Sequence, residues 1–352
     1  MRILDWSTLA AALLVQLPAA AQEPQPSPPP IDESLVPYAS TEDSVRLPDG
    51  RSLHFVCMGD GSPTVILTTG GGGMAAMSWG RVQPQMAEVT RVCAWDRPGF
   101  GLSDGASWKQ TVDATTTDLE AALATGKIPG PYVMVGHSLG SYESMMYADR
   151  HPEAVVGMVL LDPSFPGQNA VAQRIAPAMA AAPDPGPDPT LLLLTDCAKD
   201  IRAGAAKLGG PDPHGCFAYP PNWPQAFREA LGAHADNNPL LFESVASSLT
   251  SSIESTELAV NPNRNYGDMP LIILSRTDNS APPGASPEVQ EQLALFSEAW
   301  SDAHDAMAGL STRGINARVP GANHGMHLSG KAQVVIDAVE AVVREAREGT
   351  VR

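Results

Sequence analysis

The chain has 352 residues, 43% hydrophobic and 17% charged, with a formal net charge of −17 at pH 7. This composition is typical of a folded globular protein, so we expect disorder only in short segments. The large negative charge argues against binding to nucleic acid or to an anionic membrane surface, because both require clustered Lys and Arg.

The amino-terminal residues are typical of a secretory signal. Arg2 precedes an apolar stretch at residues 9–17, and Ala19–Ala21 offers a small-residue cleavage site. We predict a signal peptide over residues 1–21, cleavage near Ala21 and a secreted or periplasmic protein. An uncleaved anchor is the alternative, because the region before the apolar stretch carries little net positive charge. Residues 22–40 are predicted to form a Pro-rich leader, and no transmembrane span is expected in the mature chain.

Strands and helices alternate along most of the remaining sequence. Apolar or alternating runs predict strands at Ser52–Cys57, Thr64–Thr68, Arg91–Ala94, Tyr132–Val135, Val155–Leu161, Leu271–Leu274 and Ile315–Val319. Helical patterns occur at Trp79–Val89, Val112–Ala124, Leu139–Arg150, Pro287–Leu310 and Lys331–Glu348. Because such alternation builds a mostly parallel sheet with helices on both faces, the sequence predicts a doubly wound α/β fold.

The alternation breaks between Ser164 and Tyr266. This stretch contains Pro- and Gly-rich punctuation and short helical patterns near Gln225–Ala235 and Leu240–Glu254. We interpret residues 164–266 as a helical lid or cap insertion, with a core formed by residues 41–163 and 267–352. Such insertions lie over the carboxyl edge of the sheet, where open α/β folds bind their ligands.

The four cysteines lack the C-x-x-C spacing favoured by zinc or redox sites. In an exported protein two disulfides are the natural expectation. Cys57 and Cys93 belong to two different predicted strands, whereas Cys197 and Cys216 bracket a Gly- and Pro-rich stretch. We therefore predict the pairs Cys57–Cys93 and Cys197–Cys216. Free buried thiols are the alternative if the protein is cytoplasmic.

The segment Gly136-His137-Ser138-Leu139-Gly140 lies between a predicted strand and a predicted helix. This is the arrangement of a nucleophile elbow, in which a sharp turn exposes the serine and needs very small residues two positions to either side. Gly136 and Gly140 meet that need, so Ser138 is the candidate covalent nucleophile. An ordinary surface turn is the alternative interpretation.

At this point the chain resembles the α/β-hydrolase superfamily, in its branch of serine esterases, lipases and aminopeptidases. Besides the elbow, residues 96–104, DRPGFGLSD, look like the loop after the fourth strand of that superfamily, and residues 64–73 end in four glycines where its oxyanion loop lies. The resemblance extends from about Val45 to Val343 and implies a mostly parallel sheet of eight strands.

The resemblance places the catalytic histidine last in the chain, after the final strand. His324 fits, since it follows the strand Ile315–Val319 and a short Gly-containing turn. His327 is the competing candidate. A serine hydroxyl is a poor nucleophile by itself, so the base would accept the proton of Ser138.

The acid that orients His324 has two candidates. Asp278 follows the strand Leu271–Leu274 by a short turn and is the first choice. Asp162 directly follows another strand and is the alternative, since some relatives carry the acid there. Ser275-Arg276 departs from the family pattern, in which many relatives have glycine.

Two backbone N–H groups are expected to hold the oxyanion: that of Leu139 and one from the Gly-rich loop, with Gly71 favoured over Gly72. A phosphate-binding interpretation of the same glycines lacks the Lys-Ser or Lys-Thr pair of a P-loop. Asp96 and Arg97 are interpreted as braces of this loop rather than catalytic groups.

Together these features predict a serine hydrolase that cleaves carboxylic esters through an acyl-enzyme. The expected partner is a small-molecule ester or amide, and no cofactor or metal is implied. Apolar and aromatic residues in the lid favour a moderately apolar substrate. An aminopeptidase or amidase of the same fold is the alternative, and a non-catalytic binding protein on this scaffold is a second one.

Overall fold

The computed structural model describes residues 29–177, 188–281 and 284–349. The predicted signal peptide at residues 1–21 lies outside the described residues and stays a prediction. Among the helices of the described residues, none combines the length and apolar character needed to cross a membrane.

One mixed, mostly parallel sheet organises the chain. The strands are β1 (Val45–Arg46), β2 (Ser52–Leu53), β3 (Phe55–Met58), β4 (Thr64–Thr68), β5 (Val92–Trp95), β6 (Tyr132–His137), β7 (Val155–Leu161), β8 (Leu271–Arg276) and β9 (Gly314–Val319). The main sheet has the order β3-β5-β4-β6-β7-β8-β9, with β3 antiparallel and the other strands parallel. The predicted α/β fold class is therefore confirmed.

The main sheet has seven strands within the described residues, not the predicted eight. The predicted strand Ser52–Cys57 is split at His54, whose backbone N–H donates to Ser103 Oγ at 2.8 Å instead of joining a strand ladder. β2 consequently pairs with β1 in a separate two-stranded ribbon, and only β3 joins the main sheet.

Helices cover both faces of the sheet. They are α1 (Ala75–Trp79), α2 (Gln83–Met86), α3 (Val112–Ala124), α4 (Gly140–Arg150), α5 (Gln168–Ile175), α6 (Pro189–Ala203), α7 (Gln225–Ala235), α8 (Pro239–Thr250), α9 (Ser252–Leu258), α10 (Pro287–Ala308) and α11 (Ala332–Gly349). One buried cluster joins the sheet to α1, α2 and α11, and a second joins its other face to α3, α4 and α10. This burial of both faces explains why the central strands are almost uniformly apolar.

The predicted helix Trp79–Val89 is wrong, because the chain forms α1 and α2 with a break at Gly80. A Cβ at Gly80 would lie 3.0 Å from the carbonyl oxygen of Ser34, so the backbone of the amino-terminal segment packs closely there. Helices α5 and α6 were not predicted from the sequence.

The end of the predicted leader is also corrected. Residues Glu33–Ala39 form a 3-10 helix whose Leu35 and Tyr38 are buried in the core. The hydroxyl of Tyr38 donates to Gln83 Oε1, and the N–H of Asp32 donates to the carbonyl of Asn222 at 2.8 Å. The burial of Leu35 and Tyr38, together with these hydrogen bonds, holds residues 33–40 against the core. These residues are therefore not part of an extended leader.

Helices α5 to α9 lie in the segment between β7 and β8. Serine side chains connect α8 and α9 to the chain between β5 and α3. The hydroxyl oxygens of Ser244 and Ser247 accept backbone N–H bonds of 2.8 and 3.0 Å from the loop after β5, and that of Ser255 accepts one of 3.1 Å from the first residue of α3. The structure also contains both predicted cysteine pairs. Cys57 and Cys93 face each other across β3 and β5, and Cys197 in α6 joins Cys216.

Candidate active site

Ser138 lies in a sharp turn between β6 and α4. Its φ is +51°, in the left-handed region that non-glycine residues rarely occupy. A Cβ at Gly136 would lie 2.7 Å from the carbonyl oxygen of Gly140, and one at Gly140 would lie 2.4 Å from the carbonyl oxygen of Thr69. Both glycines are therefore needed for the close approach of strand and helix that the sequence predicted.

His324 faces the serine from the loop after β9. Its Nε2 lies 2.9 Å from Ser138 Oγ, the distance at which the hydroxyl donates to the ring. The His324 side chain is 42% exposed, so solvent and a ligand can reach this pair.

Asp162 contacts the other side of the same ring. It is the first residue after β7 and is fully buried, with its Oδ2 2.5 Å from His324 Nδ1. Its Oδ1 accepts from the backbone N–H of Arg276 at 3.3 Å and from Trp300 Nε1 at 3.1 Å. Burial raises the pKa of Asp162, but the hydrogen bond from His324 and the positive charge of Arg276 outweigh it, and the pKa is below its ordinary value.

The structure does not bring Asp278 to His324, so the first choice for the acid is corrected to its alternative, Asp162. The carboxylate of Asp278 accepts the backbone N–H and the hydroxyl of Ser280 at the surface. Its backbone N–H donates to the carbonyl of Ala322 at 2.9 Å, which fixes the turn with the Asp278 side chain toward solvent.

The turn after β8 nevertheless supports the histidine loop. Thr277 Oγ1 donates to the carbonyl of Val319 at 3.0 Å and accepts the N–H of Gly321 at 2.8 Å. The turn therefore positions the backbone that leads to His324.

The predicted oxyanion donors lie next to one another. A Cβ at Gly71 would be 3.7 Å from Leu139 Cβ, so the Gly-rich loop packs directly on the elbow. Within the described residues, neither the N–H of Leu139 nor that of Gly71 donates to a backbone acceptor. Gly72 has a φ of +74°, and its Cβ position faces Leu249 of α8. This arrangement leaves two amides available beside Ser138.

Arg97 braces the Gly-rich loop. It forms a buried ion pair with Glu143, with Nε 2.5 Å from Oε1, and its Nη2 donates to the carbonyl of Thr69 at 2.7 Å. Asp96 accepts from the backbone N–H of Ala75 at 2.6 Å and from His54 Nδ1 at 2.8 Å. Both residues hold backbone in place, as the sequence analysis expected.

The competing base, His327, does not reach the serine. Its ring is buried against Trp79 with centroids 5.0 Å apart, and neither ring nitrogen has a hydrogen-bond partner among the described residues. Burial and the nearby His137 and His324 hold the pKa of His327 far below its usual range. A ring in this environment is a neutral core residue.

His137 supports the loop that carries His324 from behind the elbow. Its Nε2 donates to the carbonyl oxygen of His324 at 2.9 Å, and the two rings are 4.8 Å apart. Burial, with a contribution from the charge of His324, lowers the pKa of His137 to about 4. The ring is therefore neutral at pH 7 and keeps the N–H that this bond requires.

Comparison with known proteins is consistent with this geometry. A family model for the α/β-hydrolase fold matches residues 63–184. An uncharacterized Schizosaccharomyces pombe protein is 42% identical over 81 residues, which are 23% of this chain and 15% of the relative. Lipase LipV of Mycobacterium tuberculosis is 35% identical over 133 residues, which are 38% of this chain and 49% of the relative. The matched part of this chain thus spans less than half the length of either relative.

Solved structures match over most of the chain. A probable hydrolytic enzyme of Pseudomonas aeruginosa superimposes with a TM-score of 0.54 at 18% identity, covering 82% of this chain and 89% of that one. The sequence resemblance, the sheet order and these matches agree. The chain has the α/β-hydrolase fold. A serine hydrolase involved in carbazole degradation has the same fold, with a TM-score of 0.53 at 14% identity over 86% of this chain and 97% of that one.

Two cavities adjoin the Gly-rich loop and the elbow. One, of about 250 Å³, runs from Gly72 to the helices between β7 and β8. Its walls include Trp223, Leu241, Phe242 and Val245, and no charged side chain lines it. A second cavity of about 170 Å³ begins at Leu139 and is lined partly by polar side chains: Ser164, Gln168, Asn169 and Ser252.

The α/β-hydrolase site also contains contacts that the sequence analysis missed. Trp300, on α10, donates to Asp162, and no local motif indicates that role. The sequence analysis noted Arg276 only because it lies in a turn where many relatives have glycine, and it assigned this residue no role in the site. Among the described residues of this hydrolase fold, no group of three or more His, Cys, Asp or Glu side chains is arranged to hold a metal ion.

Proposed function

We propose that this protein is a serine hydrolase that cleaves carboxylic esters, with Ser138 as nucleophile, His324 as base and Asp162 as the acid. The observation that carries the proposal is the continuous row of contacts in which His324 Nε2 lies 2.9 Å from Ser138 Oγ and its Nδ1 lies 2.5 Å from Asp162. This row has the order and geometry needed to activate a serine hydroxyl.

In the first half-reaction Ser138 Oγ attacks the ester carbonyl carbon while its proton passes to His324 Nε2. The oxyanion that forms accepts hydrogen bonds from the N–H groups of Leu139 and Gly71. The protonated ring is stabilised by Asp162, which keeps the Nδ1–H pointed at its carboxylate. His324 then gives the proton to the leaving alkoxide, the C–O bond of the ester breaks and an acyl-Ser138 ester remains.

In the second half-reaction water replaces the alcohol. His324 takes a proton from the water, whose oxygen attacks the acyl carbon, and returns the proton to Ser138 Oγ as the acid leaves. The partial exposure of His324 supports this step, since water must reach its Nε2. The proposed cycle consumes only ester and water.

The cavity beside Gly72 supports an ester with an uncharged apolar group. Its lining of Trp223, Leu241, Phe242 and Val245 offers no partner for a substrate ammonium group, which argues against the aminopeptidase alternative. The name of the mycobacterial relative, a lipase, also supports an ester substrate. We propose that residues 164–266 act as the lid that forms this cavity, on a core of residues 41–163 and 267–352.

We further propose that the protein works outside the cytoplasm, in a secreted or periplasmic location. The pairing of all four cysteines supports this, because disulfides persist in oxidising compartments. Secretion of the chain by its native host, followed by mass measurement of the mature amino terminus, tests this proposal and the predicted cleavage near Ala21.

The test of the hydrolase proposal is covalent labelling with a fluorescent alkyl fluorophosphonate. The wild-type protein should take up one label, and the matched Ser138→Ala variant none. Hydrolysis of p-nitrophenyl esters should exceed that of amino-acid p-nitroanilides by at least about 100-fold, since amides need more leaving-group assistance than activated esters. A folded wild-type protein that takes no label would refute the proposal, and preferential anilide hydrolysis would replace esterase by aminopeptidase.

A further inference from the structure

Arg276 contacts the acid and the base of the candidate triad at once. Its Nη1 donates to Asp162 Oδ2 at 2.9 Å, the same oxygen that His324 Nδ1 contacts at 2.5 Å. The Arg276 Nη1 also lies 3.4 Å from His324 Nδ1. Two donors that can each carry positive charge therefore converge on one carboxylate oxygen.

The guanidinium of Arg276 is fixed in this position from three sides. Its Nε donates to Asn279 Oδ1 at 2.9 Å, and its plane lies over the ring of Trp300, with Cζ 5.1 Å from the centroid. The backbone N–H of Arg276 donates to the other Asp162 oxygen at 3.3 Å. These contacts hold the guanidinium beside the pair formed by Asp162 and His324.

We propose that Arg276 is a positioning residue of this hydrolase: it fixes the Asp162 carboxylate and offsets part of its negative charge, which keeps His324 available as a base at mildly acidic pH. The proposal rests on the proposed serine hydrolase function. Its physical basis is that an unpaired Asp162 would stabilise protonated His324 fully, whereas a fixed cation 3.4 Å from the ring opposes that protonation.

The other groups around His324 do not supply this effect. Ser138 and His137 face the ring from the β6 side, and His137 is neutral at pH 7 because burial lowers its pKa to about 4. From α10, Trp300 carries no charge. His304 bonds Ser275 and the carbonyl of Pro163, and burial lowers the pKa of this ring as well. Arg276 is thus the fixed cation at Asp162 among the described residues.

The test compares neutral and charged replacements of Arg276. Arg276→Met and Arg276→Gln remove the charge, Arg276→Lys keeps it, and Arg264→Met is a matched control. Arg264 forms a similarly buried ion pair, with Nη2 2.7 Å from Asp149, that does not touch the triad. The pH dependence of kcat/KM on a p-nitrophenyl ester is measured for each variant that retains wild-type circular dichroism.

We expect both neutral variants to move the acid-side midpoint of the kcat/KM profile upward by about one pH unit, the low end of the effect of one adjacent charge. Arg276→Lys and Arg264→Met should keep the wild-type midpoint. If the Met variant does not fold, the Gln variant carries the comparison. A neutral variant with lower kcat/KM but an unmoved midpoint would overturn the proposal and leave Arg276 a purely structural residue.

Failure of the underlying function would look different. A wild-type protein that takes no fluorophosphonate label refutes the hydrolase proposal and this one together. A protein that labels and hydrolyses ester while its Arg276 variants keep the midpoint refutes only the role of Arg276.

Discussion

Ser138 and Asp162 leave the sheet side by side. Each is the first residue after its strand, β6 for the serine and β7 for the aspartate, and each has a positive φ, +51° and +37°. The N–H of Ser138 donates to the carbonyl of Leu161 at 3.0 Å, so the hydrogen bonds of the two parallel strands continue into the turn. Because the two strands are in register, Ser138 and Asp162 are positioned by the same strand ladder, whereas His324 comes from a longer loop.

Replacing the acid gives the first prediction. Asp162→Asn should lower kcat by about 10⁴-fold, the size seen when a triad aspartate becomes an amide and the histidine loses its orienting acceptor. Asp278→Asn, on the surface turn, should keep at least half of the wild-type kcat. Steady-state hydrolysis of p-nitrophenyl acetate measures both. Comparable losses in the two variants would contradict the assignment of the acid.

The elbow glycine gives the second prediction. Gly140→Ala places a methyl group 2.4 Å from the carbonyl oxygen of Thr69. The backbone must shift, so the free energy of unfolding should fall by about 1–3 kcal/mol, a typical cost of overpacking. Fluorophosphonate labelling of Ser138 should also slow at least tenfold. Urea denaturation and labelling rates measure the two effects.

Gly330→Ala is the control for Gly140→Ala, because nothing lies within 4 Å of the added Cβ and its φ is not positive. This variant should be indistinguishable from wild type in stability and in labelling. Equal behaviour of the two glycine variants would show that the elbow tolerates a side chain.

His327 gives a prediction about acid stability. The folded-state pKa of this ring lies far below the value of about 6.5 expected for an unfolded chain, so the unfolded state binds the extra proton. The free energy of unfolding should therefore decrease as pH falls from about 7 toward 4. The stabilisation is fully present only above the unfolded pKa.

Replacing His327 tests the predicted direction of this pH dependence. His327→Leu removes both the titration and two buried nitrogens without partners among the described residues. At pH 7 the free energy of unfolding should rise by about 1 kcal/mol, because an unsatisfied buried polar group is lost. Between pH 6.5 and 4 the free energy of unfolding of this variant should decrease less steeply than that of the wild-type protein. Urea titrations at several pH values measure this, and parallel curves for the two proteins would exclude the proposed linkage.

The apolar cavity gives a prediction about substrate size. Val245→Phe adds a ring to the cavity beside Gly72. The ratio of kcat/KM for p-nitrophenyl octanoate to that for the acetate should fall by at least about tenfold, since one or two displaced methylenes cost that much. The acetate rate itself should change little. A uniform loss on both esters would place the substrate chain elsewhere.

The sequence was sufficient to indicate two residues that the structure brings into contact. Ser138 is marked by its two glycines, and His324 by the turn after the last strand. The acid was not determined in this way, because Asp162 and Asp278 both follow a strand. The two residues differ because the turn after β8 donates backbone hydrogen bonds to the carbonyl of Ala322, which directs the Asp278 side chain toward solvent. No pattern in the sequence indicates this arrangement.

The limits of the fold prediction have similar causes. Strands β4 and β7 have the predicted bounds because nearly all of their residues are buried and most of them are apolar. The helix predicted at Trp79–Val89 fails at Gly80, where another segment packs against the backbone. Helix α6 carries Leu192 and Leu193 on an exposed face, so its apolar positions lack the usual amphipathic spacing. The break at Gly80 therefore depends on a contact with a residue distant in sequence, which the local pattern does not indicate.

The walls of the apolar cavity and the residues at the strand ends come from different parts of the chain, so they can change independently. The proposed nucleophile Ser138 and the proposed acid Asp162 are held by strand ends, whereas Trp223, Leu241 and Val245 belong to the helical segment between β7 and β8. Mutations that reshape the walls therefore need not disturb the reacting groups. If the proposed function holds, substitutions in the helical segment can change which ester is preferred while the groups that carry out the chemistry stay the same.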